Sequence, residues 1–404
     1  MTVAPAETSI LVVGTGPAGL IAALAFAQRG FAVALVGPKV NLEDRRTTAL
    51  MVPSLQFLDT LGVLDDIKRE AAPLEKMRIV DATSRLVRAP VVTFNANEIG
   101  EQYFGLNIGN RELNAVLDAA VRSQSGIIWH EGLVRDWIVE SSKVSAVLES
   151  GQTISAALAV AADGRNSPAR AAAGIEVVSG PLPQSALVLN FAHTRPHGSV
   201  STEFHTQTGP FTQVPLKGNR SSLVWVVRPA EAETLAALSD AELSARIEAQ
   251  MQSMLGRVSV ESGRQIYALS NATPRSFAQN RIALVGEAAH IFPPIGAQGL
   301  NLGVRDVRDL VETAAKNATD PGAPKSLAAY NRARRPDILA RTAAVSLLNR
   351  SLLSGMLPAQ LARSIGLGML GRIAPLRAVF MREGLRPGSG LSGIFADLRE
   401  QIRR

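Results

Sequence analysis

The sequence predicts an α/β protein in which a first mixed domain is followed by a second, mostly antiparallel sheet and a helical tail. A strand, a glycine-rich turn, a helix and a second strand follow one another within the first 36 residues. Residues 176–274 alternate short strands with polar turns, and helical stretches with single arginines follow residue 340. The length of 404 residues is enough for two or three structural units.

Composition excludes several classes of protein. The 33 glycines and 22 prolines are ordinary globular usage, which argues against a disordered or collagen-like chain. The absence of cysteine excludes disulfides, thiolate metal sites, iron–sulfur clusters and cysteine nucleophiles. No basic residue precedes the apolar run Ile10–Val13 and no apolar run reaches 18 residues, so we expect a cytoplasmic protein without a transmembrane helix.

The net charge of +7 is unevenly distributed. Residues 330–404 hold 13 arginines against four acidic residues, a net charge of +9, which leaves −2 for the rest of the chain. Because the main body is nearly neutral, we expect no nucleic-acid partner and ask instead what the basic tail contacts.

The first motif is the turn GTGPAG, from Gly14 to Gly19, between the strand Ile10–Val13 and a helix over 20–28. Gly14 permits the tight turn, Gly16 lets a pyrophosphate approach the backbone, and Gly19 lets helix and strand pack closely. The phosphates are then expected at the helix N-terminus, where free N–H groups and the dipole favour anions. This Rossmann-like β-α-β context predicts dinucleotide binding.

Two more loops place a carboxylate directly after a predicted buried strand. Asp163 and Gly164 follow the strand 158–162, and Gly286 and Glu287 follow the strand 281–285. A helix predicted to begin near Gln298 would direct its N–H groups toward an anionic group. Taken alone, each loop is equally well explained as a helix cap or a tight turn.

The remaining elements are predicted from periodicity and turn residues. Helices are predicted at 47–61, 110–122, 240–255 and 299–315, with breaks at Pro336 and Pro358. Strands of the second region are predicted at 185–192, 213–216 and 221–227.

The three loops, in this order, resemble the three fingerprints of the group A flavoprotein monooxygenases, which have the para-hydroxybenzoate hydroxylase fold. The run HIFPPIGAQGLNLGVRD, from His290 to Asp306, is similar to the ubiquinone-biosynthesis hydroxylases. The strings RTTAL at 46–50 and NREL at 110–113 also lie where that family has FAD contacts. The resemblance covers about residues 8–385.

The resemblance implies a Rossmann-like FAD-binding domain, a β-sheet substrate domain and a basic helical C-terminal region. The implied FAD-binding domain comprises 1–76, 106–175 and 275–340; the substrate domain comprises 77–105 and 176–274; the C-terminal region is 341–404. FAD is the implied cofactor, and NAD(P)H is a transient co-substrate because a single β-α-β unit is visible.

The resemblance also assigns residues to the cofactor. The pyrophosphate is assigned to Gly14, Gly16, Pro17, Ala18 and Gly19. The phosphates or ribityl region are assigned to Arg46 and Arg111. The fingerprint serving both FAD and NAD(P)H contains Asp163 and Gly164. Gly286 opens the third fingerprint, and Glu287 holds the ribityl chain. The isoalloxazine is assigned to Gly299 and Asn301, and the cofactor-binding loop before them contains Pro294 and Gly296. No metal ligand or catalytic side chain is predicted.

Two positions depart from the usual pattern. Gly37 ends the second strand, where an acidic residue usually holds the ribose hydroxyls. Glu287 stands where the family usually has aspartate, and its extra methylene shifts the carboxylate. Both departures bear on how tightly FAD is held.

The implied activity is an NAD(P)H- and O₂-dependent hydroxylation of a polyprenylated phenol through a flavin C4a-hydroperoxide. A hydroxylase of a smaller soluble phenol remains an alternative, as does a non-catalytic accessory protein of a ubiquinone-biosynthesis complex, with other proteins of that pathway as partners.

The tail allows two interpretations. Residues 343–380 alternate apolar stretches with single arginines. They form either helices packed on the body with solvated arginines, or an interfacial surface that contacts anionic lipid headgroups on the inner face of the cytoplasmic membrane.

Overall fold

The computed structural model describes residues 6–83, 88–293, 298–353, 366, 368–370 and 373–385. Its strands, in chain order, are β1 (Ala6–Val13), β2 (Val33–Gly37), β3 (Thr47–Met51), β4 (Ala72–Leu74), β5 (Lys76–Asp81), β6 (Val92–Asn95), β7 (Gly105–Gly109), β8 (Ile127–Glu131), β9 (Val134–Val139), β10 (Val144–Leu148), β11 (Thr153–Ala161), β12 (Val177–His193), β13 (Val200–His205), β14 (Pro210–Leu216), β15 (Arg220–Val227), β16 (Val258–Val260), β17 (Gln265–Pro274), β18 (Ala278–Gln279) and β19 (Ile282–Leu284).

The α-helices are α1 (Pro17–Gln28), α2 (Val52–Thr60), α3 (Leu64–Glu70), α4 (Asn110–Ser123), α5 (Pro168–Ala172), α6 (Pro229–Ala237), α7 (Asp240–Gln250), α8 (Gln298–Ala315), α9 (Pro324–Leu353) and α10 (Ala374–Leu385). Short 3₁₀ helices span Ala96–Ile99 and Gly286–Ala288.

The first sheet has the strand order β18-β19-β11-β1-β2-β8, and the four pairings from β19 to β8 are parallel. Its central strands are continuous apolar runs because helices cover them: Ile10, Leu11 and Val12 of β1 are fully buried. Strands β9 and β10 pair antiparallel as a hairpin, and β10 also pairs with β11.

The second sheet has the order β16-β12-β15-β14-β13-β5-β6, with β17 also paired to β12. Every pairing is antiparallel except β13 with β5, which confirms the predicted second, mostly antiparallel sheet. One face packs against α6 and α7 in a core that includes Leu187, Phe211 and Trp225. The residue limits of the domains stay a prediction.

The prediction of one helix over 47–61 was wrong for residues 47–51. Thr47–Met51 forms β3, which pairs antiparallel with β7 in a small sheet that also contains β4. The two β-branched threonines favour a strand, and Pro53 is accommodated at the start of α2, where its missing N–H costs nothing.

The break predicted at Pro336 was also wrong, because α9 continues through it. An interior proline costs about 3 kcal/mol, but the helix is anchored on both sides by the buried Tyr330, Arg334 and Ile338. Pro358 lies outside the described residues. The helical tail is confirmed by α9 and α10, and no helix in the described ranges is long and apolar enough to span a membrane.

Candidate functional site

Four parallel strands end level with one another, and this places the predicted motifs at one edge of the first sheet. Val13 of β1 is in register with Val36 of β2 and with Ala161 of β11, and Ala161 is in register with Leu284 of β19. The hydrogen bonds between neighbouring strands continue one residue beyond the strand ends: Ala162 N donates to Val13 O at 2.8 Å. Residues 14, 37, 163 and 286 therefore follow adjacent strand ends.

The GTGPAG turn has three glycines with three different environments. Gly14 has φ +114°, and a Cβ there would lie 2.1 Å from Ala162 O. A Cβ on Gly19 would lie 1.9 Å from Gly14 O, whereas one on Gly16 would meet nothing within 4 Å. Helix α1 begins at Pro17, so the N–H groups of Ala18 and Gly19 have no intrahelical acceptor. The open space at Gly16 beside free N–H groups fits a pyrophosphate.

Gly37 and Thr15 form a complementary pair at the end of β2. A Cβ on Gly37 would lie 2.6 Å from Thr15 Cγ2, and the Thr15 hydroxyl donates to Pro38 O at 2.8 Å. The Thr15 side chain therefore occupies the space into which a larger residue at position 37 would extend.

The contact between Thr15 and Gly37 predicts that a substitution at position 15 changes how a substitution at position 37 affects FAD affinity. Gly37→Glu alone is expected to lower both the melting temperature and FAD affinity, because its Cβ overlaps Thr15. Adding Thr15→Gly removes the overlap, so the doubly substituted protein is expected to bind FAD more tightly than Gly37→Glu, with a carboxylate available for the ribose hydroxyls. Fluorescence titration of the apoproteins measures this, and equal affinities of the two variants would contradict it.

Asp163 follows β11 with its side chain largely buried. Its Oδ2 accepts a 3.1 Å bond from Ala169 N, while Oδ1 is buried without a hydrogen-bond partner among the described residues. Burial raises the pKa of this carboxyl above its ordinary value, against smaller opposing contributions from its hydrogen bonds. A buried acceptor without a donor indicates a missing partner, which a hydroxyl of a bound cofactor can supply.

The turn after β19 packs against the start of α1. Gly286 has φ +62°, and a Cβ there would lie 3.0 Å from Ala18 Cβ. Gly303 of α8 approaches the other side: its Cβ would lie 3.2 Å from Gly286 Cα. From Ile282 to Ile291 every residue is buried except Glu287, whose side chain is exposed at this edge.

Arg46 lies beside the same edge. Its guanidinium makes an ion pair with Asp44 at 2.6 Å, lies 5.7 Å from the centre of the Tyr267 ring, and is close enough to Glu287 to interact electrostatically. The Asp44 carboxylate raises the pKa of Arg46 above its ordinary value. Asp44 also accepts a bond from Asn110 Nδ2 at 3.0 Å, at the start of α4. The next residue, Arg111, is exposed in the first turn of that helix.

Comparison with known proteins identifies the family of this chain. The profile of the FAD binding domain family matches residues 7–344. Ubiquinone hydroxylase UbiL of Rhodospirillum rubrum is 34% identical over 386 residues, covering 93% of this chain and 89% of that protein. The 3-demethoxyubiquinol 3-hydroxylase of Escherichia coli is 29% identical over 397 residues, covering 95% of this chain and 99% of that protein.

This chain belongs to the FAD-dependent ubiquinone-biosynthesis hydroxylase family. Its fold is shared by p-nitrophenol 4-monooxygenase PnpA of Pseudomonas putida, with a TM-score of 0.75 and 22% identity over 95% of this chain and 98% of that chain. It is an FAD-dependent monooxygenase, which answers the choice between enzyme and accessory protein.

Of the predicted FAD residues of this monooxygenase, those of the GTGPAG turn, Asp163, Gly286 and Glu287 lie at this edge, and Arg46 lies beside it. Asn301 is buried, and its side chain links α8 to the segment 49–54: Oδ1 accepts from Met51 N at 2.8 Å and Nδ2 donates to Ala49 O at 2.7 Å. Any contact of Asn301 with the isoalloxazine is therefore expected from its backbone. Gly299 is exposed in the first turn of α8. Pro294 and Gly296 lie outside the described residues.

Sequence reasoning missed several residues of this monooxygenase. Tyr267, whose ring lies beside the Arg46 guanidinium, comes from a distant part of the chain, so no local pattern indicates it. Asp44 stands only two residues before Arg46, but the sequence does not show that its side chain pairs with that guanidinium. Asp306 and Arg334 form a buried ion pair behind the Gly286 turn, with 2.7 Å between Arg334 Nε and Asp306 Oδ1. The family-like run that ends at Asp306 is the available signal for that position, but nothing in it indicates a buried partner on α9.

Proposed function

We propose that this monooxygenase hydroxylates the aromatic ring of a polyprenylated phenol in ubiquinone biosynthesis. The relatives that support the proposal are a ubiquinone hydroxylase and a demethoxyubiquinol hydroxylase, each similar over nearly its full length. In the overall reaction one atom of O₂ enters a ring C–H bond and the other leaves as water, and NAD(P)H supplies two electrons. FAD, when bound, supplies the redox and oxygen chemistry.

The observation that carries the substrate class is an uncharged patch on one side of the second sheet. Ser222 Oγ accepts a 2.9 Å bond from Thr47 Oγ1, and Asn190 Nδ2 donates to Arg45 O at 2.9 Å, so this face is directed toward the segment 45–47. This side of the sheet also carries Glu203, Arg220 and Tyr267 by strand register. We define the substrate face as the uncharged residues of β12, β14 and β15 on the same side: Ala186, Val188, Asn190, Thr212, Val214, Ser222, Val224 and Val226.

None of the substrate-face side chains is ionisable. Val188, Val214 and Val224 are only half-buried, whereas Leu187, Leu223 and Trp225 on the opposite side are buried under α6 and α7. Apolar side chains that remain partly open beside a cofactor edge bind an apolar ligand and exclude water from the reacting ring. The chain thus contributes binding, orientation and desolvation.

A charge on the substrate face tests this assignment. Val224→Lys is expected to reduce kcat/KM for a prenylated phenol by more than about tenfold, because the ammonium must be desolvated against the ligand. Bound FAD, measured by absorbance, is expected to stay at the wild-type level. The matched control is Val178→Lys on β12, where the wild-type side chain is 65% exposed. Unchanged turnover of the prenylated phenol by Val224→Lys, or faster wild-type turnover of an unprenylated soluble phenol, would contradict the proposed substrate.

We further propose that α10 contributes to peripheral membrane contact. Ile373, which directly precedes α10, and Leu376 and Phe380 within it are 40–53% exposed and follow helical spacing, which places them on one side. The helix is fixed to the 3₁₀ helix Ala96–Ile99, which follows β6, by the 2.6 Å ion pair of Arg377 with Glu98. An exposed apolar row in a region of net charge +9 suits an anionic lipid surface.

Liposome flotation tests this contact. The doubly substituted protein Ile373→Ser/Leu376→Ser is expected to float less with anionic vesicles than the wild type does. Leu339→Ser on α9, where the side chain is 57% exposed, is the control and is expected to float normally. Equal flotation of all three proteins would contradict a role for α10.

A further inference from the structure

The carboxylate of Asp306 is completely buried and accepts hydrogen bonds from three residues in two segments, the turn after β19 and α9. Its Oδ2 accepts from Gly286 N at 3.0 Å and from His290 Nε2 at 2.7 Å, and its Oδ1 accepts from Arg334 Nε at 2.7 Å. Burial disfavours the charge, yet attraction to His290 and Arg334 holds the pKa of this carboxyl below its ordinary value. Asp306 is therefore a fixed anion directly behind the turn after β19.

The backbone bond to Gly286 gives this anion a role beyond structure. Gly286 is the residue before Glu287, and its backbone φ of +62° is one that only a few residue types adopt readily. Helix α8 contacts this turn twice, by the close approach of Gly303 and, one turn later, by the carboxylate of Asp306. Together these contacts leave the turn little freedom to rotate.

We propose that Asp306 is a positioning residue, which fixes the Gly286 turn through its N–H and thereby sets where Glu287 meets FAD. The proposal rests on FAD binding at the strand ends and is independent of the identity of the phenol. The Arg334 guanidinium balances the charge of the buried carboxylate and His290 hydrogen-bonds to it, which keeps the carboxylate ionised and directed at one backbone N–H.

The chain offers a matched control for a purely structural role. Arg334 also makes ion pairs with Asp309 at 2.9 Å and with Asp337 at 3.1 Å. The carboxylate of Asp309 accepts hydrogen bonds from Arg308 and from the same Arg334 guanidinium, whereas the N–H of Gly286 donates to Asp306. Asp309→Asn therefore weakens the ion-pair cluster without altering the contact with Gly286.

The test compares FAD affinity and stability in Asp306→Asn and Asp309→Asn. Both variants are expected to lower the melting temperature of the apoprotein. Only Asp306→Asn is expected to raise the dissociation constant of FAD, by about tenfold, and to alter the visible circular dichroism of the bound flavin. If both variants bind FAD equally well, Asp306 has a structural role only and the proposal is overturned.

Asp306→Asn removes a buried charge and therefore also lowers stability. For this reason a second test of the proposal uses the wild-type protein alone. Hydrogen–deuterium exchange of the wild-type apoprotein is expected to show a strongly protected Gly286 amide, as slow as the amides of β11. A Gly286 amide that exchanges as fast as those of exposed loops would overturn the proposal, since the N–H would not be held by Asp306.

Discussion

Gly16→Ala is expected to give a folded protein that has lost most of its affinity for FAD, whereas Gly19→Ala is expected to fail to fold stably. At Gly16 the backbone has φ −75° and ψ 172°, which any residue adopts, and the added Cβ meets no protein atom within 4 Å. It would instead project into the space proposed for the pyrophosphate. At Gly19 the added Cβ would lie 1.9 Å from a backbone oxygen, an overlap worth more than about 3 kcal/mol.

Melting temperatures of the two apoproteins and an FAD titration separate these effects. The melting temperature of Gly16→Ala is expected to stay near that of the wild type, with the dissociation constant for FAD raised at least about tenfold. The control is Gly62→Ala, at a turn far along the chain from the motif, where positive φ makes the cost one of stability alone. Wild-type FAD affinity in Gly16→Ala would mean that the pyrophosphate does not approach this turn.

Asp163→Asn is expected to weaken FAD binding while making the apoprotein at least as stable as the wild type. Ala169 N donates to Oδ2, so the amide oxygen of asparagine must take that position. The NH₂ group then replaces Oδ1, and an acceptor that we expect to meet an FAD hydroxyl becomes a donor. Loss of a hydrogen bond to a charged group corresponds to roughly a tenfold or larger rise in the dissociation constant.

The stability effect of Asp163→Asn has a defined pH dependence. Because burial raises the folded-state pKa above the unfolded value of 3.8, the ionised carboxylate costs stability at neutral pH. That cost diminishes as the pH falls through the folded-state pKa and is absent below the unfolded one. The apoprotein variant is thus expected to melt above the wild type at pH 7, with the difference vanishing in acid. A variant that melts well below the wild type at pH 7 would contradict this.

The fold and the gathering of the predicted FAD motifs at one edge of the first sheet are predictable from the sequence because both depend on local patterns. Each parallel strand is a short apolar run that ends at a glycine or a carboxylate, and parallel strands bring their carboxyl ends to one edge. Residues 14–19, 163 and 286 are therefore expected at one edge, and the family resemblance is what assigns them to a common cofactor.

The remaining features depend on tertiary contacts that no local pattern encodes. Thr47–Met51 is a strand because β7 is available to pair with it, although the surrounding residues favour a helix. Helix α9 passes through Pro336 because Arg334 is fixed in a buried ion-pair cluster. The Thr15 side chain occupies the space beside Gly37 because the turn after β1 lies over the end of β2.

The most direct test of the proposed activity is the fate of oxygen in a reaction of the purified FAD-loaded protein with NAD(P)H, a prenylated phenol and heavy-isotope O₂. We expect a ring-hydroxylated product that carries one labelled oxygen atom, formed in proportion to the NAD(P)H consumed. NAD(P)H consumption that yields only hydrogen peroxide, with the phenol recovered unchanged, would contradict a ring hydroxylase.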